Sequence, residues 1–287
     1  MSGKIGIMGG SGLQKLEGIK DVRKEEVKTP FGDASDKFVI GKLEGKEVVF
    51  LPRHGLGHRI APSEINYRAN IYGMKKLGVE RIISVTACGS LKEDIRPLDF
   101  VAVDQFVDRT NHARDMTFFD KDIVVHVVFA HPVCAGLSNS ICEAAKLGDV
   151  SIHKGGTYIN MEGPAFSTLA ESNLYRSWGM DIIGMTNMAE AKLAREAEIC
   201  YATLAAVTDY DCWHLEHESV TIDLVIANLQ KNIDNAKKII SNLVKILPDK
   251  RDCGCRDALK FAIITDKNLI PNRVKKDLDI IIGKYIK

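Results

Sequence analysis

Ala202-Thr203-Leu204-Ala205-Ala206-Val207, running into Thr208-Asp209-Tyr210-Asp211-Cys212-Trp213, is the stretch whose reading decides the fold. The first six residues form a short apolar run that reads as a strand buried on both faces, the pattern of a parallel strand in an α/β sheet. Two carboxylates, Asp209 and Asp211, emerge where that strand stops. Ligands of open α/β sheets bind outside the carboxyl ends of the strands, which is where an acid meets a substrate. An isolated Asp-x-Asp has a plainer reading, a helix N-cap followed by a solvated carboxylate. The other strand ends decide between the two.

Composition sets the bounds. The chain has 287 residues, 45% hydrophobic and 27% charged, ordinary values for a globular protein. Lys and Arg total 39 against 38 Asp and Glu, so no global field draws in nucleic acid or an anionic membrane, and an anion must be caught locally. Met1 to Met8 turns glycine-rich too soon for a signal peptide, and no apolar run reaches membrane-spanning length. The expectation is a cytoplasmic enzyme. Seven cysteines include no Cys-x-x-Cys pair, so zinc spacing is absent and no metal is expected. Cys253-Gly254-Cys255 reads either as two reduced thiols in a loop or as a bridge.

Working outward to the other strand ends, Lys4 to Met8 is a strand running into Gly9-Gly10-Ser11-Gly12, where bare backbone and the Ser11 hydroxyl suit an anion. Residues 15–42 suggest an insertion or hairpin with a turn at Thr29 to Asp33. Val48 to Leu51 is a strand that ends in Pro52-Arg53-His54-Gly55, and a guanidinium fork there fits an oxyanion. A helix is predicted over Ser63 to Leu77. Arg81 to Val85 is a strand ending in Thr86-Ala87-Cys88-Gly89-Ser90, small residues that let backbone N–H groups face a ligand. Phe100 to Asp108 continues the sheet.

Gly136 to Lys146 predicts a helix, and Thr157 to Met161 a strand leading into Glu162-Gly163-Pro164-Ala165-Phe166-Ser167. Ser167 is the expected cap of the next helix, and Phe166 either stacks on a planar ligand or packs in the core. Asp181 to Met185 leads to Thr186, just before a helix expected to begin near Ala189, where N-terminal N–H groups favour anions. Apolar residues at 222, 225, 226, 229, 233, 236, 240, 243, 244 and 247 predict a long core-facing helix ended by Pro248. A second short helix is expected near 271–285. With no repeat or linker, the organisation expected is one domain over 1–287, with a helical tail from about 249.

Six strand ends thus carry ligand-like chemistry: Ser11, Arg53-His54, Thr86-Ala87, Glu162 to Ser167, Met185-Thr186 and Asp209 with Asp211. Parallel strands deliver their carboxyl ends to one rim, so together these describe an anion subsite, an aromatic face and a carboxylate pair. The motifs Gly9 to Gly12, Arg53-His54-Gly55, Thr86 to Ser90, Glu162 to Phe166 and Thr208 to Trp213, in that order, resemble the trimeric purine nucleoside phosphorylases over about residues 4–247.

The resemblance implies an α/β fold with a mixed central sheet flanked by helices, a homotrimer or hexamer, no cofactor, and inorganic phosphate as co-substrate. It implies phosphorolysis of 5′-methylthioadenosine to adenine and 5-methylthioribose 1-phosphate. By similarity Ser11, Arg53, His54, Thr86, Ala87 and Thr186 hold phosphate, and Phe166 and Ser167 lie near the base. The Met185 backbone faces the ribose, and Asp209 and Asp211 address the purine, with Asp209 as the acid for the leaving base. Ile222, Val225 and Ile226 match positions that line an apolar 5′ site, although ordinary core packing satisfies them equally. His126 and Leu269 are the counterparts of residues lent by an adjacent subunit. The Cys-Gly-Cys tail is similar to that of thermophilic archaeal and related members, which use such cysteines in disulfides. Rival readings are a phosphorylase for adenosine, inosine or methylthioinosine, a hydrolase, and a nucleoside-binding regulator.

Overall fold

Ile5 and Ile7 of strand β1 (Lys4–Gly9) face one apolar core and Met8 faces another, so this strand is covered on both sides. The computed structural model describes residues 3–10, 13, 18–111, 114–120, 122–214 and 222–286, with the backbone alone over 222–227. The residues that follow β1 in the sheet region are β2 (Lys20–Glu25) and β3 (Phe38–Leu43), an antiparallel pair, then β4 (Lys46–Pro52). The charged, fully exposed β2 closes that edge of the sheet, as edge strands must to discourage further pairing.

Helix α1 (Tyr67–Lys76) begins later than the sequence suggests, because the Asn66 side chain accepts the Ala69 N–H and fixes the first turn there. Strand β5 (Val79–Ser90) is longer than expected. Thr86 to Ser90 do not follow the strand but continue it. Next come β6 (Phe100–Ala102), β7 (Gln105–Arg109), α2 (Ala135–Leu147), β8 (Ile152–Lys154) and β9 (Thr157–Met161). Helix α3 (Leu169–Ser177) is capped by Thr168, not Ser167. The Thr168 hydroxyl accepts the Glu171 N–H while the Glu171 carboxylate accepts the Thr168 N–H, a two-way cap that Ser167 cannot form from its position.

Strand β10 (Ile182–Gly184) precedes α4 (Asn187–Glu196), which starts two residues before the expected Ala189, directly after Thr186. Strand β11 (Cys200–Asp209) is buried along its whole length, and helix α5 (Ile222–Ile246) follows. The single helix expected near 271–285 is divided at Leu278 into α6 (Asn272–Asp277) and α7 (Asp279–Ile282).

Among the described residues the sheet has eleven strands in mixed directions. β4, β1, β5 and β11 are mutually parallel. β7, β9 and β10 are parallel to one another, but β10 runs antiparallel to the far end of β5, with Ile183 opposite Gly89. The parallel rim assumed from sequence is therefore only half of the arrangement. The segment after β10 returns along β5 toward Thr86, which still brings Met185 and Thr186 to the rim. Two cores sandwich the sheet. α2 and α5 cover one face, with Ile239, Ile240, Leu243 and Val244 buried at helical spacing, and α1, α4 and the C-terminal tail cover the other. No described helix is long and apolar enough to cross a membrane.

Candidate active site

The ends of β1, β4, β5 and β11, the segments after β9 and β10, and one face of α5 enclose a cavity of about 510 Å³. That volume is suited to a small molecule the size of a nucleoside with room beside it. Its chemistry is set by what each strand places on the wall.

From β11 come the two carboxylates. Asp209 is 9% exposed, accepts the Thr208 hydroxyl at 2.6 Å on Oδ2 and the Asp211 N–H at 2.8 Å on Oδ1. Burial is the leading influence and lifts its carboxyl to about 6, helped by the Asp211 charge and opposed by those two hydrogen bonds. Asp211 adopts a left-handed backbone at φ 52°, is 8% exposed, and is likewise raised by burial. Gly89, opposite Asp209 on β5, is the reason the acid can lie flat against the strand: a Cβ there would stand 2.9 Å from Asp209 Oδ1 and 3.3 Å from Asp211 Cβ. From α5, the Asn228 and Asn232 amides donate to the Thr208 and Val207 carbonyls at 2.8 Å and hold the strand end in place.

From β4 comes Arg53, 2% exposed. Its Nε donates to Glu190 Oε1 at 2.6 Å, its Nη2 to Ser84 Oγ and Glu190 Oε2 at 2.5 and 3.2 Å, and its Nη1 to the Val85 carbonyl at 2.8 Å. Among the described contacts one Nη1 hydrogen of the five is left for the cavity. Burial would pull this guanidinium down, but the Glu190 charge and hydrogen bond outweigh it and the balance is upward. Glu190 also accepts from the Ser84 and Tyr201 hydroxyls at 2.5 and 3.0 Å, so the pair is embedded in a satisfied polar network.

His54 follows. Burial, then the Arg53 charge, push its imidazole down to about 4, which leaves it neutral near pH 7. Its Nδ1 lies 2.9 Å from the Ile60 carbonyl, an acceptor only, so Nδ1 carries the proton and Nε2 is an acceptor. The His58 ring stacks on it at 4.1 Å.

Thr86, Ala87 and Thr186 meet on the same wall. Thr186 occupies the N-cap position of α4, but its hydroxyl points to Asn187 Oδ1 at 3.2 Å and does not cap the helix. Met185 stands beside them, and its carbonyl accepts from Asn160 Nδ2 at 3.2 Å and from Arg114 Nη1. Phe166 lines the cavity mouth and is 56% exposed. Ser167 is half-buried next to it, its carbonyl 3.4 Å from Cys212 Sγ.

Some candidates are not brought together here. Ser11 lies outside the described residues, as do the side chains of Ile222, Val225 and Ile226. His126 is exposed, with its N–H bonded to the Ala262 carbonyl at 2.9 Å, and Leu269 is 74% exposed; neither lines this chain's own cavity.

Other residues join the site without having been singled out. Glu190 has no signal short of the pairing itself, since an acid in the first turn of α4 reads as a dipole partner. Arg114, buried and bonded to Glu162 Oε1 at 3.2 Å, ties the segments after β9 and β10 together. Leu229 and Ile233 of α5 line the cavity, although their spacing marked them as core.

The chain and its fold match known proteins. Residues 4–245 match the family described as the Phosphorylase superfamily. The chain belongs to the phosphorylase superfamily. An S-methyl-5′-thioadenosine phosphorylase of Geobacter sulfurreducens is 58% identical, with 98% of this phosphorylase and 99% of the relative aligned. One from Koribacter versatilis is 56% identical over 99% and 97% of the two chains. Among solved structures, a methylthioadenosine phosphorylase from an Antarctic soil metagenomic library superposes with a TM-score of 0.93 at 45% identity, covering 98% of this chain and 99% of that one. The Schistosoma mansoni methylthioadenosine phosphorylase in complex with adenine superposes at 0.84 and 36% identity, over 90% and 96% of the chains. The resemblance drawn from five short motifs thus extends over nearly the whole phosphorylase.

Proposed function

We propose that this phosphorylase cleaves 5′-methylthioadenosine with inorganic phosphate, giving adenine and 5-methylthioribose 1-phosphate. The observation that carries the reading is the Asp209–Asp211 pair, buried at the end of β11 in the wall of a nucleoside-sized cavity, with the Asp209 carboxyl raised to about 6.

The C1′–N9 bond breaks through a ribosyl state of cationic character. Phosphate held against C1′ supplies both the nucleophile and the countercharge, and Thr86, Ala87, Thr186, His54 and Ser11 are the groups proposed to hold it. With Glu190 neutralising most of its fork, Arg53 contributes one directed N–H and a fixed dipole more than a free positive charge. Neutral His54, with Nε2 as acceptor, suits the P–OH of a protonated phosphate. The base leaves carrying negative charge, and protonated Asp209 delivers a proton at N7. At pH 7 a carboxyl with a value near 6 is protonated in about one molecule in ten, enough for general acid catalysis. Asp211 accepts from the 6-amino group, Phe166 lies over the base, and the Met185 backbone faces the ribose hydroxyls.

The methylthio end of the substrate has no charge and needs an apolar wall. Leu229 and Ile233 extend toward the cavity from the same helix as Ile222, Val225 and Ile226. His126 and Leu269 would complete that end only in a second copy of the chain, as part of a cytoplasmic homotrimer or hexamer. Exposed Phe166, Leu169, Leu174 and Trp178 on one segment, and Phe261, Ile264 and Leu269 on another, favour such an assembly. The chain is proposed to act as one domain over 1–287, and the reaction draws on no cofactor beyond phosphate as co-substrate.

The test is adenine release from 5′-methylthioadenosine with and without phosphate, beside adenosine and inosine. Phosphate-dependent cleavage with inosine inert is expected. Strong inosine turnover overturns the role given to Asp211, and cleavage without phosphate overturns the anion subsite.

A further inference from the structure

At the end of β11 opposite Asp209, four cysteines come together from three separate parts of the chain. Cys134 is the N-cap residue of α2, Cys200 opens β11, and Cys253 and Cys255 flank Gly254 where the chain leaves α5. Their four sulfurs all lie within 4.8 Å of one another, with Cys200 Sγ and Cys253 Sγ 3.3 Å apart. Cys88, Cys142 and Cys212 are not part of the cluster. The ligand positions 134, 200, 253 and 255 match no short zinc spacing, which is why the sequence alone does not reveal them.

We propose that Cys134, Cys200, Cys253 and Cys255 form a tetrathiolate site for a single thiolate-preferring divalent cation, of which Zn²⁺ is the type. A Zn–S bond of about 2.3 Å places tetrahedral sulfurs about 3.8 Å apart, so no pair has to close by more than about 1 Å, and Cys200 and Cys253 separate by about 0.5 Å. The backbone already suits this. The Cys134 N–H donates to the Tyr201 carbonyl at 2.8 Å, which locks the start of α2 to the start of β11, and the Cys134 side chain makes no capping bond that ligation would break. A Cβ at Gly254 would meet nothing within 4 Å, so no packed neighbour stops the Cys-Gly-Cys turn from closing on the ion. Cys134 and Cys200 are 6% and 2% exposed, and the other two half-buried, which shields the site from bulk water. Binding releases four thiol protons and leaves a doubly negative centre. The Arg251 guanidinium, whose Nε is paired with Glu80 Oε2 at 3.3 Å, also turns Nη1 to within 4.0 Å of Cys200 Sγ.

The position says what the ion does. Helix α5 packs on one face of the sheet, while Leu259, Ile270, Val274, Leu278 and Ile282 pack on the other. The chain crosses between the two faces at the cysteines, so the ion pins that crossing. The nine-residue rise of β11 separates it from Asp209 by about 30 Å, too far to enter the chemistry. The role is structural.

The experiment uses the full chain purified under reductant. Elemental analysis after incubation with Zn²⁺ and desalting is expected to show one Zn²⁺ per chain, and Co²⁺ in its place the intense visible bands and sulfur charge-transfer absorption of a tetrahedral thiolate site. Four thiols resist alkylation until a strong chelator is added, which also lowers the melting temperature while leaving turnover of the still-folded enzyme within about twofold. Cys255→Ser loses the stoichiometric metal and Cys142→Ser keeps it. Because the metal and cobalt readings are made on the unaltered chain, a Cys255→Ser protein that fails to fold does not blunt the test. Substoichiometric Zn²⁺, a weak octahedral Co²⁺ spectrum, or the mass of a chain with two disulfides among these residues despite reductant overturns the site.

Discussion

Arg53 donates through Nε to Glu190 Oε1 across 2.6 Å, and the two side chains are 2% and 0% exposed. A cation at the end of β4 and an acid in the first turn of α4 are thereby joined beneath the cavity. The Arg that looks from sequence like a free phosphate clamp is held as half of an ion pair, its orientation set before any anion arrives.

Removing one partner leaves the other charge buried. Glu190→Ala is expected to cost about 3–5 kcal/mol of stability, read by denaturant unfolding. Phosphate should restore part of it, raising the melting temperature of Glu190→Ala more than that of the parent chain. Equal phosphate shifts in the two proteins would mean that Arg53 does not face the anion.

Asp209 links stability and activity to pH. Its folded value of about 6 lies above the ordinary carboxyl value, so the native state favours the protonated form. The sign follows: its contribution is fully present below about pH 4 and is lost as pH rises to about 6, an amount on the order of 3 kcal/mol. Asp209→Asn should flatten that part of the stability profile. It should also lower kcat/KM by about 10²–10⁴ and remove the descending limb above pH 6. An unchanged limb would assign the acid elsewhere.

Gly89→Ala places a methyl group 2.9 Å from Asp209 Oδ1 and 3.1 Å from Ile183 Cγ2. Displacing the acid by a few tenths of an ångström should reduce kcat/KM about tenfold or more, with KM for phosphate little changed. Comparable losses in phosphate affinity would place the disturbance on the other wall.

Asp211→Asn exchanges an obligate acceptor for a side chain that also donates. Cleavage of methylthioadenosine should fall and the inosine to methylthioadenosine ratio of kcat/KM should rise, by about 10-fold or more. A proportional fall in both substrates would remove Asp211 from recognition of the 6-position.

Several features were readable directly from residues. The Ala202 to Val207 run is buried on both faces as its composition requires, and the 3–4 spacing of α5 packs in the core from Ala236 to Leu247. The ends of β4, β5, β10 and β11 do meet at one cavity. What escaped notice was non-local. The Glu190 partner of Arg53 is 137 residues away in sequence and the cysteine cluster draws on three elements. Ser167 lost the cap to Thr168 because reciprocal bonding needs the acid exactly three positions on, a choice that composition alone leaves open. Leu229 and Ile233 carry the same signature whether they face core or ligand, so spacing does not separate the two.

Strand β5 runs twelve residues and is shared by β1, β11 and β10. Substitution along it alters one contact at a time, but a change of length does something different. One residue inserted or deleted between Val85 and Thr86 inverts the alternation beyond that point, so that every residue from Thr86 to Gly89 on the cavity wall exchanges faces at once. Pairing with both β10 and β11 would then fall out of phase together. Point replacement in this chain can therefore retune the nucleoside pocket one contact at a time, whereas the spacing from Thr86 to Ser90 can change only as a single block.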